Sequence, residues 1–558
     1  MDKQRLFLMT SLFLVAYLLI LAWNKDYGQE NAIKNTPKNE AAQINKATQK
    51  DIPQVVNTST TTKNITTKDI PSAATTTAPE KKNNTIEVKT DTLNVTIDLH
   101  GGDIVRVTLP KYPKQKLTPN NPFVLLNDTQ GVYIAQSGLI GLNGPDANPE
   151  GRPTYTSDAP LFELKNDQQT LTINLKLAQK DTNITKQFVF KRGDYLVDVN
   201  YLIENNTALV WQGALFGQIK RDDSKDPSST SATHISTYVG AAFKTNNELY
   251  KTVNFKKIKE DGFKEDVKGG WVAMLQHYFV SAWIPNANET NSFDTRYQQD
   301  GPYYIAGFTG PLVNIAPKTT GTISAHFYVG PKIQSILRQI SPGLELTVDY
   351  GVLWWLAQPI FWLMTHIQKI IGNWGFTIIL LTFIVKLSLF KLSAAGYRSM
   401  AKMRKVAPEL ARLKETYGDD KPKMSQAMME LYKKEKINPL GGCLPILIQM
   451  PVFLALYWTL LESVELRQAP FILWITDLSA KDPYFILPLL MGASMFIQQQ
   501  LSPAPPDPVQ ARVMKLMPVM MTFFFLWFPS GLVLYWVVSN MLSILQQWVI
   551  TRQIESTT

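Results

Sequence analysis

Cysteine is almost absent: Cys443 is the one copy in 558 residues. A disulfide within the chain is thereby excluded, and so is a cysteine-rich metal site. Histidine is scarce too. Its five copies, at 100, 234, 277, 326 and 366, are scattered with no ligand spacing. P-loop, G-x-S-x-G and H-E-x-x-H signatures are missing. No cofactor or metal is expected. Aromatic residues vanish between 28 and 88, where Thr, Asn, Lys and Gln dominate. Such a stretch buries too little apolar area to offset chain entropy, so 24–88 reads as a disordered tether.

What is present is divided. Mean hydropathy is only −0.09, an average over a polar N-terminal half and a very apolar C-terminal half. The length calls for two or more domains. A net charge of +10 would suit nucleic acid, but the basic residues cluster beside apolar spans, as the positive-inside rule requires, and no nucleic-acid partner is expected.

The first apolar run, Leu6 to Trp23, is long enough for a helix spanning ~30 Å. Lys3 and Arg5 precede it, and neither a small-x-small site nor a cysteine follows. Residues 1–23 read as an uncleaved transmembrane anchor with its N-terminus in the cytoplasm, against the competing reading of a cleaved signal peptide. From 89 to 340 the period changes to two. "TLNVTIDL", "QTLTINLKL", "QFVFKRGDYLVDVNYLI" and "TISAHFYVG" alternate apolar and polar residues, with turn residues between them. Many short strands with few helices predict a large β-sandwich outside the cytoplasm.

After 340 the long apolar runs are 351–372, 374–394, 440–461, 484–501 and 516–550, the last broken by "WFPSG" into 516–528 and 530–550. Segment 395–439 holds eleven Lys/Arg and six Asp/Glu, so it belongs in the cytoplasm. An odd number of crossings must then separate it from the β-domain. The first run mixes Gln358, Pro359, His366, Gln368 and Lys369 with tryptophans, which suits an interfacial amphipathic helix over 341–373. The denser 374–394 crosses. The count is six spans, with four of them in 440–550, a tail at 551–558 and both termini in the cytoplasm.

Lys386 is the anomaly. Twelve of residues 376–392 are Leu, Ile, Phe or Val, worth about −4 to −7 kcal/mol of insertion. A central lysine costs about +2.5 to +3.5 kcal/mol. Spacing alone leaves two readings, a snorkelling lysine and a functional charge. The other spans bear on the choice. Gln449 lies toward the cytoplasmic end of its span. Trp536, Asn540, Ser543 and Gln547 recur at 4, 3 and 4 on one helix face. The outer halves ("VFLALYW", "FILPLL", "FFFLWF", "LVLYW") are almost wholly apolar. Polar residues near helix ends are common without any role. The alternative is a wet cavity, open to the cytoplasm and sealed outside, with Lys386 as its fixed charge. The basic segment reads as a helical hairpin around "GDDKP", with Met403, Val406, Leu410, Leu413 and Tyr417 as a seam that Met424, Met428 and Leu431 continue. Arg404 and Lys405 belong to its basic face, which suits anionic lipids, and its methionines suit varied apolar segments.

"NPLGGCLPILIQMPVFLALYWTLLESVELRQAPF", "FPSGLVLYWVVSN", "SMAKMR" and "KGGWVAMLQHYFVSAWIP" resemble the YidC/Oxa/Alb family of membrane protein insertases, in particular its Gram-negative members. The similarity covers nearly everything outside 24–88. It implies an α-helical integral membrane protein of the bacterial inner membrane, with a five-helix core around a hydrophilic groove. It also implies a periplasmic all-β supersandwich domain, related in fold to sugar mutarotases. Insertion would proceed without nucleotide hydrolysis, alone or with the Sec translocon. The implied partners are nascent membrane proteins and the ribosome or signal recognition particle machinery. Lys386 matches a groove charge that is usually arginine in the family, a departure that keeps the charge and loses the planar fork. Thr382 matches a groove polar position, and Tyr535 and Trp536 match an aromatic pair that meets substrate helices. Lys391 stands where a proline is common. The expected function is therefore that of an insertase and not of an enzyme. The rival readings are a polytopic transporter or channel, which would need polar outer halves or an internal repeat, and a membrane-anchored sugar-binding or sugar-converting enzyme acting through the β-domain.

Overall fold

The computed structural model describes residues 84–556 and 52–53, apart from 117, 119, 130, 150, 180, 229–236, 300, 419, 436, 438–443 and 503–507. The expected anchor at 1–23 and most of the tether lie outside the described residues. The described chain forms two compact units, one running through Thr347 and the other starting at Val348.

The first unit is the expected sandwich. Its first strand, Thr85–Lys89, falls inside the stretch assigned to the tether, so the domain starts at 85 and not at 89. The absence of aromatics concealed it. "TIEVK" buries Ile86 and Val88 and exposes the residues between, a period-two face that needs no ring. Two sheets follow. An 11-stranded sheet runs in order from Phe263–Lys268 through Thr290–Gln298, Tyr303–Thr309, Trp211–Arg221, Tyr133–Ile140, Asp103–Pro113, Asn94–Asp98 and Thr85–Lys89 to Leu161–Glu163, with two short strands off this path. A nine-stranded sheet is centred on Thr319–Pro331, Leu196–Asn205 and Thr182–Lys191, which pair antiparallel. The unit also carries two short helices, α1 (Phe255–Glu260) and α2 (Gln334–Ile340). It extends past the expected end at 340, because the turn Leu344–Thr347 packs on α2.

Aromatic side chains fasten the sheets face to face. Trp283 of the nine-stranded sheet meets Phe308 of the other with centroids 6.4 Å apart, and its indole N–H donates across the sandwich to the Gln218 carbonyl at 3.1 Å. Phe123 stacks on Phe279 at 4.3 Å. A buried charge cluster adds a second fastening. Arg152 pairs with Asp103 and, at 2.8 Å, with Asp146. Lys186, from the nine-stranded sheet, donates to the Gly101 and Ser137 carbonyls of the other sheet, each at 3.0 Å. Gly101 and Gly102 turn through φ of +77° and +64°, a conformation other residues resist. A Cβ on Gly102 would lie 2.9 Å from the Lys186 side chain.

The second unit is helical: α3 (Trp354–Ile371), α4 (Trp374–Ser388), α5 (Phe390–Lys405), α6 (Ala407–Tyr417), α7 (Lys421–Lys434), α8 (Leu444–Glu462), α9 (Ile486–Gln500), α10 (Pro508–Phe525) and α11 (Ser530–Ser556). Helix α3 is amphipathic. Ala357, Ile360, Phe361, Met364 and Ile367 are buried, while Trp354, Trp355, Trp362 and Ile370 are exposed. Gly372, at φ 75°, ends it. Asn373 then caps α4 by accepting from Gly375 N at 2.9 Å and Phe376 N at 3.2 Å.

Two helices differ from their expected course. The span expected over 374–394 stops at Ser388 and resumes as α5 at an angle of 69°. At the break the Ser388 hydroxyl donates to the Val385 carbonyl at 2.8 Å, a local bond that competes with the helix ladder. Fifteen residues make α4 about 22 Å long, less than the ~30 Å of a bilayer core. The hairpin expected over 395–439 is three segments, because Pro408 opens a new helix at α6. Its core is Val406, Leu431, Tyr432 and Ile437, with Met403, Leu410 and Leu413 against it. The expected seam ends at Leu413, and Tyr417 is exposed. The turn expected at "WFPSG" is present between α10 and α11. There Ser530 N donates to Ala480 O at 2.7 Å. By length and composition one described helix, Ser530–Gln553, suffices to cross a membrane, or two if α4 and α5 count as one bent span.

Candidate functional site

The polar residues of the helical unit converge on one seam. The break after Ser388 puts Lys386 in the last turn of α4, not inside a continuous span. A cation there meets the negative end of the helix dipole, worth about 0.3–1 kcal/mol. Half-buried, its ammonium donates to Gln449 Oε1 on α8 at 3.0 Å and to Ser543 Oγ on α11 at 2.7 Å. Among the described residues it has no carboxylate partner within 4.0 Å. Gln449 turns its amide to Ser539 Oγ, and Ser543 donates to the Ser539 carbonyl at 2.8 Å. Tyr397 of α5 lies beside Ser543, and Tyr535 lies beside Gln449. Four helices thus meet at one cation held by neutral oxygens. Among the described residues the arrangement leaves the positive charge without a carboxylate partner.

Of the residues expected at the groove, Lys386, Gln449 and Ser543 are brought into direct contact. Asn540 lies on the same helix and bonds instead to Ser494 Oγ of α9 at 3.0 Å. Thr382 is buried and donates to its own Ile378 carbonyl at 2.6 Å, apart from the cation's hydrogen bonds. Tyr535 is buried in the bundle core, and Trp536 is half-buried with its ring perpendicular to Phe453 at 4.6 Å. The indole nitrogen of Trp536 has no hydrogen-bond partner among the described residues. In the hairpin region Met403 packs on the small core, whereas Met424 and Met428 are half-buried and Arg404 and Lys405 lie at the end of α5.

Ser539, Tyr397 and Ser494 were not anticipated. Ser539 was findable, since it sits three residues after Trp536 and four before Ser543 on the same face. Tyr397 had no such signal, because only the 69° turn at Leu389 carries α5 back against α11.

The described family "YidC periplasmic domain" matches residues 85–363, and "60Kd inner membrane protein" matches 366–557. A "Membrane protein insertase YidC" from Pseudomonas fluorescens (strain Pf0-1) is 55% identical over 568 residues, covering 100% of this chain and 99% of that relative. The chain belongs to the YidC family of membrane protein insertases. The YidC of Pseudomonas putida (strain GB-1) is likewise 55% identical, over 560 residues. YidC proteins are inner-membrane proteins with a periplasmic domain, and the matched periplasmic family begins at the first described strand. The family is one of insertases and not of enzymes. Among solved structures, an active YidC insertase crystal structure is similar at 17% identity and a TM-score of 0.37, over 84% of this chain and 92% of that one. A galactose mutarotase related enzyme from Lactobacillus acidophilus is similar at 9% identity and a TM-score of 0.30, over 44% of this chain and 97% of that one. Likenesses that faint add nothing to the argument.

Proposed function

We propose that this YidC-family insertase receives the polar flank of a nascent membrane protein in a groove centred on Lys386, and passes the apolar segment into lipid along α11. The observation that carries the reading is the cation itself, held by Gln449 and Ser543 with no carboxylate beside it. Such a charge attracts acidic tails and tolerates polar ones. Partition of the substrate's apolar segment, at ~25 cal/mol per Å² of apolar area, drives release into lipid.

The topology that fits is six crossings of the inner membrane with both termini in the cytoplasm. The bent α4–α5 pair forms the second crossing, and α3 lies in the interface with its tryptophans toward the headgroups. A short α4 thins the apolar barrier at the point where Lys386 sits. The basic hairpin faces the cytoplasm and anionic lipid, within reach of the ribosome or signal recognition particle machinery. Family membership supports function alongside the Sec translocon. A photoreactive amino acid at position 536 tests the reading. It should crosslink a stalled single-span nascent chain, while the same residue at Leu209, exposed on the β-domain, should not. Crosslinks of equal yield at both positions would refute a localised groove.

A further inference from the structure

A second site lies in the β-domain, away from any expected functional residue. Where strands Pro122–Leu126, Tyr133–Ile140 and Trp211–Arg221 reach their ends or begin, the sandwich holds a half-open cavity of about 280 Å³. Four cationic side chains line it, Arg106, Lys114, Arg221 and Lys225, and among the described residues no carboxylate does. Arg221 is the informative one. It is only 1% exposed, its guanidinium lies 4.8 Å from the Tyr133 ring centroid, and its Nη2 donates to Ser224 O at 3.0 Å. Its Nε and Nη1 are buried with no hydrogen-bond partner among the described residues, and Gln276 Oε1 in the same lining has none there either. Buried guanidinium donors are ordinarily paired, because desolvation without a partner is costly.

The nearby carboxylates do not supply the missing acceptors. Asp222 accepts from Val132 N at 2.7 Å and Ser224 N at 3.0 Å, and Asp226 accepts from His277 N at 2.6 Å and Ser228 N at 2.7 Å. Both brace the loop backbone that frames the cavity. The result is a preformed, cationic concavity with an aromatic wall at Phe123 and Tyr133.

We infer that this cavity binds an anionic phosphoryl group, whose oxygens supply acceptors to Arg221 while Arg106 and Lys225 neutralise its charge. A phosphate fits better than a single carboxylate because it offers more acceptor oxygens and more charge to four cations. The phosphoryl group belongs either to a small soluble ester or to a lipid headgroup, and the two sources share this chemistry.

The test is titration calorimetry on the full chain in neutral detergent, with glycerol 3-phosphate as the soluble probe and dihexanoyl phosphatidylglycerol as the lipid probe. Saturable binding of either is expected, weakened at least tenfold by Arg221→Met. Lys225 is exposed, so Lys225→Ala leaves the fold intact and should weaken binding about threefold. Tighter binding of the ester assigns a soluble ligand, and tighter binding of the lipid assigns a headgroup. Absence of saturable binding by both probes, or binding unchanged in both variants, overturns the inference.

Discussion

Lys186 gives the sharpest energetic prediction. It is fully buried, with its ammonium held by two backbone carbonyls of the opposite sheet at 3.0 Å. Burial pushes its pKa down from 10.5 to about 7, with Asp103 opposing and Arg152 reinforcing the shift. The unfolded lysine titrates near its ordinary value. Between pH 7 and 10.5 the unfolded chain therefore binds more protons than the folded one, so stability rises with pH through that window and is flat below it. The whole depression corresponds to about 5 kcal/mol. The part gained between pH 7 and 9 is about 2 kcal/mol, roughly 30- to 50-fold in an opening equilibrium. Tyr155 and Tyr201 beside the cluster are raised well above their ordinary range by burial and do not titrate in this interval. The assay is hydrogen exchange of the Thr182–Lys191 amides in the full chain, corrected for intrinsic rates. Protection should climb by that factor from pH 7 to pH 9. Lys186→Met keeps the apolar stem and should flatten the slope. A slope equal in the two proteins, or none in the original, refutes the reasoning.

Two further predictions concern the helices. Gln449→Leu removes one of the two acceptors of Lys386 and the bond to Ser539. It should lower insertion of substrates with acidic tails severalfold while costing about 1–3 kcal/mol of stability, read by comparing insertion yield with the melting temperature in detergent. Gly492 packs so closely on α10 that a Cβ would fall 1.9 Å from Thr522 Oγ1. Gly492→Ala should therefore cost about 1–3 kcal/mol, with part of it recovered in the Gly492→Ala, Thr522→Ala double variant. Equal melting temperatures for the original and Gly492→Ala would contradict the close approach.

Much of this architecture was readable from periodicity. The alternation in "QFVFKRGDYLVDVNYLI" becomes two neighbouring strands joined at Gly193, and the 4-3-4 recurrence of Trp536, Asn540, Ser543 and Gln547 becomes an inward face of α11. Chemistry that acts through a single local bond was not readable. Apolar composition continues smoothly through Leu389, so the break after Ser388 left no trace in hydropathy, and Lys386 looked more central than it is. Pro408 did mark the start of α6, but the 3-4-3-4 seam across it argued for continuity. In the β-domain the Gly101–Asp103–Asp146–Arg152–Lys186 cluster joins residues up to 85 positions apart, which no spacing rule connects. Arg221 likewise sits at a strand end with nothing in its neighbours to show that two of its nitrogens are left without partners.

Insertion into liposomes tests the central claim most directly. The purified chain is reconstituted without nucleotide, a short single-span substrate with an acidic tail is added, and protease protection is scored for the original, Lys386→Leu and Lys386→Arg. The account predicts protection in the original, its loss with Leu and its retention with Arg. Equal protection in all three would contradict a charge-centred groove and leave Lys386 as a snorkelling side chain.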